Sequence, residues 1–178
     1  MRVIAGLLGG RTFESPKGHR THPMSEKVRG AIFGALGDIQ GLAVLDAYSG
    51  SGALSFEAVS RGASHSVAID VDADAHVAMN KNIRSLGLTN SVKSIRANVS
   101  SWSDNNPSAL FDLVLCDPPY DNLRTEPLIK LAQHVEIGGV VVYSLPPKIA
   151  VELSANGYQL VATKSYGDAK LVFYRRIS

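Results

Sequence analysis

Cysteine is nearly missing from this 178-residue chain: Cys116 stands alone, which excludes an intramolecular disulfide and any cysteine-built zinc cage. Long apolar runs are missing too, none approaching the roughly 20 residues a membrane-spanning helix needs. The opening Met1-Arg2-Val3-Ile4 carries one positive charge, but glycines and Arg11 soon cut its apolar stretch short, unlike a secretion signal. A cytoplasmic protein is expected. Neither sign of charge dominates, with 18 Lys and Arg against 16 Asp and Glu. Charged residues make up 19% and hydrophobic ones 45%, which excludes collagen-like, disordered and coiled-coil classes. This length suits one domain with a real core and at most a small appendage.

The small net charge hides an asymmetry. Residues 1–30 hold Arg2, Arg11, Lys17, Arg20, Lys27 and Arg29 against Glu14 and Glu26, a net of +4, so the remainder, with 12 basic and 14 acidic residues, carries −2. Positive charge gathered at one end suits contact with a polyanion. It equally suits a solvated arm.

Residues 2–13 read as a glycine-broken hairpin, with Gly9-Gly10 at its turn or bulge. A polar stretch, 15–21, follows, and Ser25 then opens a helix carried by Val28, Ile32, Phe33 and Leu36. Gly30 and Gly34 each cost about 1 kcal/mol against Ala there, so that helix depends on docking. From residue 42 the pattern alternates. Strands are expected over 42–46, 66–70, 92–98, 111–116 and 139–145, and helices over 53–61, 73–86 and 123–134. A final pair of strands, 158–164 and 170–175, forms a hairpin around Tyr166-Gly167-Asp168-Ala169. Such alternation predicts an α/β chain with a doubly wound, mostly parallel seven-stranded sheet of Rossmann type. Residues 1–40 are expected to form a hairpin-and-helix extension, and residues 41–178 the main domain. Right-handed crossovers put the strand carboxyl ends on one edge, where ligands bind.

Polar residues interrupt the apolar pattern at those strand ends. The first group is Asp46-Ala47-Tyr48-Ser49-Gly50-Ser51-Gly52, a strand running into a glycine-rich turn and then a helix with free N–H groups. A dinucleotide fingerprint would place a third glycine where Ser55 stands. Asp46 would repel a pyrophosphate and suit a cationic ligand carrying an amine or sulfonium. Taken alone, the turn fits a tight bend as well. Asp70 lies 18 residues after Gly52, near the spacing at which an acid holds ribose hydroxyls. Asp72 is the better helix cap. Asn98 fits a contact to a base edge or a simple turn residue.

The sharpest signal is Cys116-Asp117-Pro118-Pro119-Tyr120, directly after an apolar strand. Two prolines fix the backbone and leave carbonyls without competing donors. Asp117 and the Pro118 carbonyl can together accept both hydrogens of a planar exocyclic amine, while Tyr120 stacks on the ring that bears it.

These four groups resemble the class I S-adenosylmethionine-dependent methyltransferases that modify exocyclic amines. The flanks Ile4-Ala5-Gly6, Gly10-Arg11, Pro23 to Phe33, Leu54-Ser55-Phe56-Glu57-Ala58 and Tyr166-Gly167-Asp168 further resemble the RsmD family of 16S ribosomal RNA guanine-N2 methyltransferases, essentially end to end. The resemblance implies S-adenosylmethionine as cofactor. It places Asp46, Gly50 and Gly52 at the methionine part, Asp70 at the ribose and Asn98 at the adenine. Tyr48, Ser49, Val71, Val99 and Asp117 complete the implied cofactor set. Asp117, Pro118, Pro119 and Tyr120 would clamp a flipped guanine. Phosphate contacts are expected from Arg11, Lys17, Arg20, His22, Lys27 and Arg29. The implied partner is 16S ribosomal RNA in an assembled or assembling small subunit, met by a monomer with no membrane association. Departures fall in the RNA-side segment, where His22-Pro23-Met24 replaces the family's Arg-Pro-Thr and Gly30 and Gly34 its usual Glu and Asn. No metal is expected, because the histidines lack ligand spacing.

The same clamp serves DNA adenine and protein glutamine methylation. The chain has little room for a DNA-recognition domain, and the basic segment argues against a protein substrate. A nicotinamide-dependent oxidoreductase is disfavoured by Asp46 and the missing glycine. A non-catalytic RNA-binding role in ribosome assembly would leave the Asp117–Tyr120 motif unexplained.

Overall fold

A computed structural model describes residues 1–17 and 23–178. Four short apolar runs form the parallel centre of a sheet: β1 (Ala43–Ala47), β2 (His65–Asp70), β3 (Val92–Arg96) and β4 (Phe111–Cys116). Three more strands, β5 (Val135–Leu145), β6 (Tyr158–Tyr166) and β7 (Ala169–Arg176), complete it. The order is β3-β2-β1-β4-β5-β7-β6, with β7 antiparallel to both neighbours and the other pairings parallel. The expected doubly wound sheet with its C-terminal hairpin is therefore present. Between β1 and β4 the winding reverses, which opens a crevice at the carboxyl ends of those strands.

Helices α1 (Glu26–Leu36), α2 (Ala53–Ser60), α3 (Ala73–Ser85), α4 (Val99–Asn105) and α5 (Glu126–Leu131) cover the sheet. Successive strand residues face opposite layers. Leu113 and Leu115 pack with Ile32, Phe33 and Leu54 on one side, and Val114 and Cys116 pack with Trp102, Leu128 and Tyr143 on the other. Each large side chain so enclosed contributes roughly 1.5–3 kcal/mol. Ser25 caps α1 by accepting from Val28 N at 3.2 Å, and Asp72 caps α3 by accepting from Ala75 N at 2.8 Å. Both caps match the sequence.

Four boundaries differ from expectation. The N-terminal hairpin is present but short: Arg2 bridges Thr12, with Val3 N donating to Arg11 O at 2.9 Å, Gly10 N to Val3 O at 2.8 Å and Phe13 N to Met1 O at 2.9 Å, while residues 4–8 between these arms hydrogen-bond to α2. The carboxylate of Glu57 accepts from Ile4 N at 2.8 Å and Ala5 N at 3.1 Å, and the Ser60 hydroxyl accepts from Leu8 N at 2.8 Å. Gly6 approaches so closely that a Cβ there would lie 1.9 Å from the Ser60 carbonyl oxygen. The third strand stops at Arg96, since Asn98 caps α4. That serine-rich helix has no apolar periodicity to announce it. The helix expected over 123–134 is shorter, with a 3-10 turn over Ala132–His134, and β5 begins at Val135 and passes Gly138 at a φ of 87°. No helix among the described residues is long and apolar enough to cross a membrane.

Candidate active site

The turn after β1 is held in backbone conformations few residues tolerate. Tyr48, Gly50 and Gly52 all have positive φ, at 64°, 51° and 87°. At Gly52 a Cβ would also lie 2.6 Å from the Phe56 ring, so only glycine fits. Ser49 N donates to Ile69 O at 2.9 Å and Gly50 N to Asp70 Oδ2 at 2.7 Å, which ties the turn to the end of β2. Asp70 also accepts from Asp72 N through Oδ1 at 2.9 Å. This carboxylate therefore shapes two loops, and the exposed Val71 follows it.

Asp46, next to last in β1, has no surface exposed to solvent. Its Oδ2 accepts from Ser55 N at 3.0 Å and Ser55 Oγ at 2.7 Å, and Ser66 Oγ donates in turn to Ser55 Oγ at 2.9 Å. Its Oδ1 has no partner, nor does the buried Ser49 hydroxyl. Burial pushes the Asp46 carboxyl up to about 7; the two Ser55 bonds oppose this, while the charges of Asp117 and Asp70 add to it. A buried acid with a bare oxygen lacks a donor or a cation. The sulfonium and ammonium of S-adenosylmethionine would supply that charge, so the residues present fit the cofactor that the sequence resemblance implies.

Asn98 sits at the next strand end, but its Oδ1 is committed to Ser100 N at 3.0 Å and Ser101 N at 3.2 Å. An adenine-facing role would fall to its amide nitrogen or backbone. Val99 beside it is buried.

On β4, Cys116 pairs with Ala47 of β1 and Tyr143 of β5, so Asp117 emerges next to the β1 turn. Burial raises the Asp117 carboxyl to about 6, partly opposed by a hydrogen bond from Ser144. Ser144 Oγ also lies 3.3 Å from the Tyr120 hydroxyl. Pro118 is buried, whereas Pro119 and Tyr120 are exposed, leaving an aromatic ring free beside the half-buried Asp117 carboxylate. Burial pushes the Cys116 thiol well up, so it stays protonated and is no nucleophile.

Residues 1–175 match the family described as "Conserved hypothetical protein 95". The chain belongs to that family. It is 28% identical over 182 residues to the "Putative rRNA methyltransferase YlbH" of Bacillus subtilis, covering 99% of each chain. It is 34% identical over 133 residues to the "Ribosomal RNA small subunit methyltransferase D" of Buchnera aphidicola subsp. Baizongia pistaciae, covering 74% of this chain and 67% of the relative. The solved structure called "Putative methyltransferase yhhF from Escherichia coli" superposes with a TM-score of 0.87 at 24% identity, over 100% of this chain and 98% of its own. The shared architecture is the Rossmann-like fold of class I methyltransferases.

The basic residues of this family member divide. Arg11 is exposed and donates to Ser85 O at 2.9 Å, while Lys17 and Lys27 are exposed. Arg20 and His22 lie outside the described residues. Arg29 corrects the expectation of a phosphate contact. It is 1% exposed, its Nη2 donates to Arg2 O at 2.5 Å, and its Nε stands 3.5 Å from Glu57. A guanidinium enclosed in this way serves the fold and cannot reach RNA.

Sequence reasoning missed Ser55 and Ser144. Ser55 counted only as a missing glycine, yet it holds Asp46. Ser144 carries a weak signal, a hydroxyl near the end of a valine-rich strand.

Proposed function

We propose that this S-adenosylmethionine-dependent methyltransferase acts on the exocyclic N2 of a guanine in 16S ribosomal RNA. The observation that carries the reading is the placing of Asp117, Pro118 and Tyr120 one strand away from Asp46, at the crevice where the sheet reverses. The ribosomal part is supported by the named activity of the relatives and by the exposed Arg11, Lys17 and Lys27. Residues 1–40 contact the RNA and residues 41–178 carry the chemistry. The RNA arrives in an assembled or assembling small subunit.

The cofactor, when bound, supplies a methyl group on a positively charged sulfur. Asp46 and the Tyr48–Gly52 turn hold its amino-acid end, and Asp70 its ribose. Tyr120 stacks on the guanine. Asp117 and the Pro118 carbonyl accept the two N2 hydrogens, which fixes the amine in the plane where its lone pair can be aimed. Orientation is the main contribution, because that lone pair is conjugated with the ring and nucleophilic only when held. The N2 nitrogen becomes cationic once the methyl is attached. Asp117, with its raised affinity for a proton, then takes one N2 hydrogen as a proton.

The test is transfer of labelled methyl groups to undermethylated small subunits, protein-free 16S ribosomal RNA and duplex DNA, followed by digestion to nucleosides. Label in N2-methylguanosine from the ribosomal substrates is expected. Label only in methyladenine of DNA would move the reading to DNA, label only in the proteins of the subunits to glutamine amides. No label anywhere would favour an RNA-binding assembly factor.

A further inference from the structure

Asn82 lies on α3 with 1% of its surface exposed, outside the set of residues assigned to cofactor or RNA. Its Oδ1 accepts from Glu14 N at 2.9 Å and its Nδ2 donates to Glu14 O at 2.8 Å, the pattern a neighbouring strand would offer. The same Nδ2 donates to Ser51 O at 3.4 Å. Ser51 stands between Gly50 and Gly52, so one buried amide touches both the N-terminal segment and the cofactor turn.

A second line of contact runs parallel. Phe13 meets Phe56 edge-on with ring centroids 5.2 Å apart, and the Phe56 ring fills the space beside Gly52. The Arg11 bond to Ser85 O holds the same segment to the end of α3. The Lys81–Glu14 ion pair there is solvent-exposed and contributes little.

We propose that Asn82 is a positioning residue that couples occupancy of the Tyr48–Gly52 turn to RNA binding by the basic N-terminal segment. This rests on the function proposed above. An amide nitrogen carries two hydrogens, and here each has its own acceptor, one in the turn and one at Glu14, three residues before Lys17. The Ser51 bond sits at the long end of the hydrogen-bond range, so a shift of a few tenths of an ångström in the turn strengthens or breaks it. Burial denies the amide a replacement from water, so both contacts are best made in one shared geometry. A ligand that fixes Ser51 thereby fixes the anchor of the RNA-side segment. The reverse holds by the same factor.

The experiment measures binding of protein-free 16S ribosomal RNA and of undermethylated small subunits, each with and without saturating S-adenosylhomocysteine. The proteins are the wild type, Asn82→Ala and Asn82→Ser; the serine has a single donor and cannot serve both carbonyls. S-adenosylhomocysteine is expected to tighten RNA binding by about fivefold or more in the wild type, and RNA to tighten S-adenosylhomocysteine equally. In either folded variant the factor falls to about one, although each ligand alone still binds. A general loss of stability would weaken both affinities without changing their ratio. An unchanged factor in the variants, or independent binding in the wild type, overturns the proposal and leaves the proposed function standing. Failure of the wild type to bind S-adenosylhomocysteine or RNA would overturn the proposed function itself.

Discussion

Ser55 gives both its backbone amide and its hydroxyl to one oxygen of Asp46, at 3.0 and 2.7 Å, and leaves the other oxygen of that buried carboxylate bare. The acid is thus aimed but only half satisfied, and burial lets it keep a proton up to about pH 7.

A cationic cofactor favours the ionised acid, so its binding should expel that proton. Affinity for S-adenosylmethionine is expected to rise as pH goes from about 6 to 8 and then level. Titration calorimetry in buffers of different protonation heat would register the released proton near pH 7. Asp46→Asn should weaken binding by about tenfold or more and flatten the profile. Without ligand the sign reverses. Folded Asp46 holds its proton to a higher pH than the unfolded chain does, so its contribution to stability falls between about pH 4 and 7.

Asp117→Ala should lower the rate of transfer by about 100-fold or more while leaving S-adenosylhomocysteine affinity nearly unchanged. In the wild type the rate should climb with pH through about 6, where Asp117 ionises, since the protonated acid loses an acceptor for the amine. Equal losses of binding and transfer in the variant would remove Asp117 from the amine clamp.

Arg29 and Lys27 are two residues apart and should behave oppositely. Arg29→Ala strips the buried Glu57 of one cation and is expected to cost about 3–5 kcal/mol of stability. Lys27→Ala should leave the melting temperature unchanged and weaken RNA binding, with a shallower dependence on salt. Thermal melting and RNA titration on both variants separate the roles.

His134 makes the fold acid-sensitive. Its ring lies within hydrogen-bond distance of Ser103 Oγ and Ala109 O, both at 2.7 Å, packed against Trp102. Desolvation lowers its pKa below the usual 6.5. The unfolded chain therefore binds a proton first, and stability should fall as pH drops below about 6.5. His134→Gln should make melting temperature less dependent on pH between 5 and 7.

The sheet was legible because each buried strand is a short apolar run, and the acids ending them, Asp46, Asp70 and Asp117, stand out against it. Helix starts were legible where a side chain caps them, as at Ser25 and Asp72. Arg29 was not. Its sequence neighbours are basic, and the residue that encloses its charge, Glu57, lies on another helix. Asn82 was hidden for the same reason, since its meaning comes from Glu14 and Ser51, both far away along the chain. Helix α4 had no apolar stripe to reveal it. Local pattern reports how a residue packs, whereas pairing across the fold decides what a polar one does.

Residues 2–14 emerge from synthesis before any of the groups that hold them, for Glu57, Ser60 and Asn82 all come later. The backbone groups of Ile4, Ala5, Leu8 and Glu14 stay in water until the second and third helices exist to receive them. This segment is therefore among the last to settle, and it docks directly onto the helix that starts at the glycine turn.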